Sequence, residues 1–204
     1  MNPNLVPPLR EMLARFVLAC TSGHATKHAE DVLHFLSHNS HSWSRATLAG
    51  HLTASAWVLD RTCTHAALIH HRKLNRWLQP GGHIEAHDAS WRAAAQREVT
   101  EETGITQFIE QPDEGELFDV DVHPIPARQD EPAHLHYDLR FLFVADVDAT
   151  ADSALNVNLE EVRDCRWFEL AELANDATIE SSLRRMAESS LQRASTVDSI
   201  RCVK

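Results

Sequence analysis

No stretch of this chain approaches the roughly 20 consecutive apolar residues that a membrane-spanning helix needs, so no membrane partner is expected. Met1-Asn2-Pro3-Asn4 lacks the basic start and apolar run of a secretory signal, and a cytoplasmic protein is the expectation. Basic residues are scarce: 19 Lys and Arg stand against 30 Asp and Glu, for a formal net charge of −11. That balance argues against nucleic-acid binding through a basic surface. It would also repel a polyanionic substrate at long range unless local bases or metal compensate. The four cysteines, Cys20, Cys63, Cys165 and Cys202, show no C-x-x-C spacing. They read as reduced thiols, with neither a zinc site nor a disulfide framework implied. No internal repeat or low-complexity segment appears, and 204 residues suit one domain with an appendage or two small units.

What the chain does have is concentrated in residues 81–105, and above all in Arg97-Glu98-Val99-Thr100-Glu101-Glu102-Thr103-Gly104. On a helix, Glu98 lies three and four residues before Glu101 and Glu102, so the three carboxylates share a face. Like charges so placed destabilise a helix by roughly 0.2–0.5 kcal/mol per pair. A hard divalent ion held by carboxylate oxygens would relieve that repulsion. Taken alone, Glu-x-x-Glu-Glu is more often a solvated helix face. Its surroundings change the reading: Gly81-Gly82 precede it, an Ala-rich helix leads in, Arg97 abuts Glu98, and Gly104 stands where a C′ glycine would end the helix.

This segment resembles the box of the Nudix hydrolase family, G-x5-E-x7-R-E-U-x-E-E-x-G-U with U aliphatic. Gly82, Arg97, Glu98, Val99, Glu101, Glu102, Gly104 and Ile105 match it. One departure stands out: Asp88 occupies the first acid's place, and eight residues rather than seven then precede Arg97. The resemblance implies an α/β/α sandwich with a mixed β-sheet over residues 49–175. An N-terminal helical extension (1–48) would precede it, and a C-terminal helix (176–204) would pack on it. It implies hydrolysis of a phosphoanhydride in a nucleoside diphosphate linked to another moiety, with Mg2+ or Mn2+. Glu98 and Glu102, one turn apart, are the first expected ligands; Glu101 is either a further ligand or a group that orients water. The family would add the Gly82 carbonyl, and Arg97 would hold a glutamate by ion pairing from outside the metal shell. Glu160 or Glu161 is a candidate base from outside the box. Arg72, His83, Glu85 and His136 are expected to contact substrate.

Periodicity supplies the rest of the architecture. Leu9, Met12, Leu13, Phe16, Val17 and Cys20 outline an amphipathic helix, with Pro8 in its first turn. A second helix is expected over Thr26–Ser37, burying Val32, Leu33, Phe35 and Leu36; histidines at 24, 28, 34, 38 and 41 decorate it, read as exposed helix histidines ahead of metal ligands. Ser37–Leu48 reads as a linker. Strands are expected at Leu52–Leu59, Ala66–His70, Leu117–Val122, Leu135–Ala145 and Arg163–Phe168. Helices should cover Ser90–Thr103, begin at Glu169, and finish the chain around Ile179, Leu183, Met186 and Leu191. Strands interleaved with a central and a late helix fit a mixed sheet covered by helices.

Two further constellations are open to more than one reading. His70-His71-Arg72-Lys73 is either a solvated hairpin turn or a contact for substrate phosphates. Asp119, Asp121 and His123 alternate on one strand face; His134, His136, Asp138 and Arg140 alternate on another. Paired antiparallel, they would form one polar surface: either the wet face of a sheet, or a second metal or recognition site. Trp57, Trp77, Trp91 and Tyr137 are expected in the core ahead of any stacking on a base. The stretches Gly50–Ser55 and Trp77–Glu85 are similar to a bacterial-type subgroup with an N-terminal helical extension. That extension would either cap the site or support a homodimer. Two rival functions share the fold: a non-cleaving nucleotide sensor, which would be expected to lose box glutamates, and a diphosphate isomerase, which would need a positioned cysteine that Cys63 does not supply.

Overall fold

A computed structural model describes residues 6–111, 115–127, 132–150, 155 and 162–194, the side chains of residues 6 and 7 excepted. Glu160, Glu161 and Cys202 lie outside the described residues. In chain order the elements are α1 (Val6–Ala19), α2 (Gly23–His38), β1 (Gly50–Leu59), β2 (His65–His71), β3 (Arg76–Leu78), β4 (Gly81–His83), α3 (Trp91–Thr103), β5 (Phe108–Ile109), β6 (Asp119–Ile125), β7 (His134–Ala145), β8 (Val162–Glu169), α4 (Leu170–Asn175) and α5 (Ser181–Ala194). The expected α/β class and the N-terminal helices are present. The short strands β3, β4 and β5 were not legible from two- or three-residue patterns.

The described strands form one sheet in the order β3-β2-β1-β7-β5, with β4 on β1, β6 on β7 and β8 on β2. The sheet is mixed. β1 pairs β2, and β6 pairs β7, in antiparallel fashion. β1 and β7 run parallel: Leu135 N–H donates to Ala49 O at their starts, and Arg61 N–H to Val147 O at their ends. The chain divides into two compact units, each described by itself.

The first unit comprises residues 1–55, 82–95 and 115–141. α1 buries Leu9, Leu13 and Phe16, and the Arg10 guanidinium reaches the free Leu36 carbonyl near the C-terminus of α2 at 2.6 Å. Ser22 caps α2, its Oγ accepting Ala25 N–H, and the Asn39 side chain closes the other end on Phe35 O. α2 buries Ala25, Ala29, Val32, Phe35 and Leu36, while Leu33 is only half-buried. Phe35 stacks on Tyr137 at 4.0 Å, which leaves Tyr137 in the core. His28 departs from the expected exposed row: it is half-buried, and its Nδ1 accepts the Val122 N–H. Packing of α2 on β6 accounts for this, because a side chain on that face meets a strand instead of water.

The β6–β7 ladder sets Asp119 opposite Arg140, Asp121 opposite Asp138 and His123 opposite His136. The polar face expected from the alternation exists, but much of it is buried, which corrects the wet-sheet reading. Arg140 is 2 % exposed; its Nε donates to Asp138 at 2.8 Å, and its Nη1 to Asp119 at 3.2 Å. Nη2 lies 3.4 Å from Asp121. β1 closes the network, since Thr53 and Ser55 both donate hydroxyl hydrogen bonds to Asp138 Oδ1. Gly50 starts β1 at φ +143°, and a Cβ there would sit 2.3 Å from the Leu135 carbonyl oxygen. Only glycine allows that approach.

The second unit comprises residues 56–81, 96–114 and 142–204. Asp60 organises the β1–β2 turn, its Oδ1 accepting the Thr64 and His65 N–H groups. Within that turn Cys63 takes a positive φ and is disulfide-bonded, which corrects the reading of four reduced thiols. Cys20 and Cys165 are free. β2 is paired along its length with β8, from His65↔Glu169 to His71↔Val162, with an irregularity at His70/His71. The amphipathic face of α5 is Leu183, Met186, Ala187 and Ser190, and Leu191 is exposed, contrary to its expected core position. Trp57 is fully buried and donates from Nε1 to Ser190 Oγ at 2.8 Å. No described helix is long and apolar enough to cross a membrane.

Replacing Arg140 by Met would leave three buried carboxylates without their shared cation. The expected cost is about 3–5 kcal/mol, read as a lower urea midpoint at unchanged slope. An unaltered midpoint would mean that the network contributes little to stability.

Candidate active site and a buried histidine cluster

α3 carries the box. Before it, Glu85 N–H donates to Asp88 Oδ2 and Asp88 N–H to Glu85 O, a tight local loop that absorbs the extra residue. The shortened acid is therefore a turn former, 8 % exposed. Ser90 caps the helix through Ala93 N–H to its Oγ at 3.0 Å. Trp91, Ala94, Ala95 and Val99 form a buried stripe, and helical spacing sets Glu98 and Glu102 along the same face. Gly104, at φ +75°, ends the helix with its N–H on Thr100 O, as expected of a C′ glycine.

The Arg97 guanidinium bridges two box acids, with Nη1 at 2.9 Å from Glu98 Oε1 and 3.0 Å from Glu101 Oε2. Glu98 is largely covered and Glu101 about half exposed. Glu102 is buried, and its Oε2 accepts the Gly81 N–H at 2.9 Å. Thus Arg97, Glu98 and Glu101 form one ionic cluster, while Glu102 is held by the backbone that precedes the box. Among the described residues, the three-donor clusters lie elsewhere. Cys165, buried on β8, has its thiol pushed up to about 12 by burial, with the Glu102 charge adding to the effect. It is the cysteine electrostatically coupled to the box, a role that the sequence did not suggest.

Of the four expected substrate contacts, the structure brings two together. His83 and His136 meet in the first unit, with ring centroids 5.3 Å apart. Glu85 sits exposed on the loop after His83 and faces His87 at 3.3 Å. Arg72 belongs to the second unit, exposed in the β2–β3 hairpin turn where His71 Nδ1 accepts the Lys73 and Leu74 N–H groups. The basic segment thus lies in a hairpin turn. Gly82 falls in the first unit and the box glutamates in the second.

The histidine cluster is larger than the alternation indicated. His51 of β1 joins His83, His134 and His136, with ring centroids of 5.0, 4.9 and 4.8 Å from its own. His51 Nε2 and His83 Nε2 are 3.0 Å apart. Asp121 Oδ2 lies 3.1 Å from His123 Nδ1, and the His123 ring is 5.6 Å from that of His136. His51 was missed as a site residue, yet a signal existed. His51, Thr53 and Ser55 alternate with Leu52, Ala54 and Ala56, marking a polar edge to an otherwise apolar strand. Burial, reinforced by Arg45 and neighbouring imidazoles, pushes His83 down to about 3. Burial and the surrounding imidazoles push His136 down to about 2.

Trp77 is half-buried, with Phe168 and His70 edge-on at 4.9 and 5.1 Å and the Arg166 guanidinium 5.5 Å away. It lines a cleft of about 600 Å³ with His70, Phe168, Glu172, Leu173 and Ile179. Trp91, like Trp57 and Tyr137, is in the core.

His83 and His136 exclude a proton that the unfolded chain binds below pH 6.5, so stability rises with pH across that window. Metal-free protein should therefore lose thermal stability as pH falls from about 6.5 toward the folded values. Replacing His136 by Ala should flatten that slope between pH 6.5 and 5, read by calorimetry. An identical slope in the variant would mean that His136 titrates normally.

Comparison with known proteins places this geometry in a family. The model of the NUDIX domain matches residues 50–189, well over half of the chain. A Nudix-family hydrolase from Clostridium perfringens shares 22% identity at a TM-score of 0.50, over 70% of this chain and 96% of its own. A MutT protein from Methanosarcina mazei Go1 shares 16% identity at a TM-score of 0.51, over 74% of this chain and 99% of its own. No curated protein matches the sequence significantly. The domain match, with a mixed sheet and a glutamate-bearing helix behind Gly81-Gly82, shows that the chain belongs to the NUDIX domain family of hydrolases.

Proposed function

We propose that this protein is a divalent-metal-dependent pyrophosphohydrolase acting on a nucleoside diphosphate linked to another moiety. The observation that carries the reading is the α3 surface: Glu98, Glu101 and buried Glu102 on one helix, with Arg97 holding the first two. Their hard oxygen donors suit Mg2+ or Mn2+, which takes only one or two protein carboxylates and fills the remaining positions with water and substrate phosphate. Glu98 and Glu102 would hold the ion, with Glu101 as the third acid. When bound, such an ion neutralises phosphate charge and lowers the pKa of a bound water.

The chain's own residues supply positioning. Arg97 fixes the Glu98 carboxylate from the side while remaining an outer partner. The Gly81 N–H fixes Glu102, tying that acid to the loop. Retention of all three glutamates supports hydrolysis over mere sensing. A buried Cys165 whose thiol is pushed up to about 12 is poorly suited to the acid–base role that an isomerase requires. We take residues 49–175 as the hydrolase domain of a cytoplasmic enzyme.

Purified protein should release phosphate or a nucleoside monophosphate from some member of a panel of nucleoside triphosphates, dinucleoside polyphosphates, ADP-ribose, NADH and nucleotide sugars, with Mg2+ or Mn2+. Glu98→Gln and Glu102→Gln should each lower kcat by at least about 100-fold, since loss of outer partners alone costs about 10–100-fold. Both variants should keep a wild-type melting profile. Parental turnover in both would remove these glutamates from the mechanism.

A further inference from the structure

We infer that His51, His83 and His136 form a second metal site, selective for a borderline divalent ion of the zinc class and separate in chemistry from the box glutamates. One nitrogen from each ring lies within 4.8 Å of the others. The closest pair, the Nε2 atoms of His51 and His83, is 3.0 Å apart. Nitrogens on a tetrahedral zinc at about 2.0–2.1 Å stand roughly 3.3 Å from one another. Small rotations of side chains already in contact therefore complete the site.

The three ligands come from three elements, β1, β4 and β7, so the fold and not one flexible loop sets their spacing. His51 is 1 % exposed, and the other two are half-buried. Water can reach such a site from one side, which matches three protein ligands and one open position. Imidazole suits zinc and its neighbours, whereas magnesium prefers oxygen.

The surroundings also favour a cation. Asp119, Asp121 and Asp138 face the single guanidinium of Arg140, so three carboxylates against one cation leave a formal negative surplus. Asp121 reaches His123, whose ring touches that of His136. The His134 Nδ1 lies 2.9 Å from Pro132 O, and its ring stacks on His51. Arg45 opposes this bias, but it is exposed and screened. A second grouping, His24, His28 and Asp121, shares Asp121. It is the weaker competitor, because His24 is exposed and His28 Nδ1 already accepts the Val122 N–H.

The test uses full-length, tag-free protein stripped with chelator, without any nucleotide, so that its outcome is independent of the hydrolase reading. Titration with Co2+ should give one equivalent with the intense visible absorption of a low-coordinate ion, displaced by Zn2+. Affinity should fall at least about 100-fold in His51→Ala and His136→Ala. It should be unchanged in Glu98→Gln/Glu102→Gln and in His24→Ala. X-ray absorption at the zinc edge of parental protein should count three imidazoles, which keeps the inference testable if an alanine variant misfolds. Absence of uptake, full affinity in His136→Ala, loss of binding in His24→Ala, or fewer than two imidazoles at the edge would each overturn it.

Discussion

The first unit is organised around one buried cation. Arg140 has no water to stabilise its charge, so its survival there depends on the carboxylates of Asp119, Asp121 and Asp138. Those acids depend equally on it. Because Asp119 and Asp121 belong to β6, Asp138 and Arg140 to β7, and the hydroxyls of Thr53 and Ser55 to β1, the network fixes three strands at once. A one-residue slip would turn every one of these groups to the other face. Register is thus specified by charge as well as by hydrophobic burial. The same register places His123 against His136, and β1 brings His51 beside both His134 and His136.

Much of this was legible in the sequence because it rests on alternation. Asp119-x-Asp121-x-His123 and His134-x-His136-x-Asp138-x-Arg140 announce two polar faces, which antiparallel pairing joins into one. Whether the joint face is wet or dry was not legible, since identical alternation serves both cases. Burial is decided by what covers the sheet: α2 packs on β6, and His28 meets Val122. Asp121 approaches His24 and His28 for the same reason, although it lies far from them in sequence. Long-range contacts of this kind leave no local trace.

The box was legible for a different reason. A helix imposes a fixed period, so Glu98, Glu101 and Glu102 had to share a face with Arg97, and Gly104 had to end the turn. Sequence could not show how the four would partition. Arg97 bridges Glu98 and Glu101, because their oxygens lie within reach of one guanidinium, whereas Glu102 turns inward to the Gly81 amide. Nor could it show that Asp88, in place of the longer acid, would accept the Glu85 amide and close the loop locally. A shorter side chain favours such a turn, since its oxygen reaches a backbone N–H three residues away.

Two donor sets of unlike chemistry therefore occupy one chain. Carboxylates on α3 offer charged, hard oxygens, with Glu101 half exposed and Glu98 and Glu102 largely covered. The imidazoles of β1, β4 and β7 offer nitrogens, with His51 buried and His83 and His136 half-buried, and Asp121 reaches His123 beside His136. Uncharged imidazoles do little to repel one another, so packing can hold such a cluster together. Three glutamates on one helix face cannot rest empty in that way, and Arg97 meets the need by screening two of them. An internal cation in one case and packed imidazoles in the other answer the same constraint: like polar groups gathered together have to be stable in the folded chain.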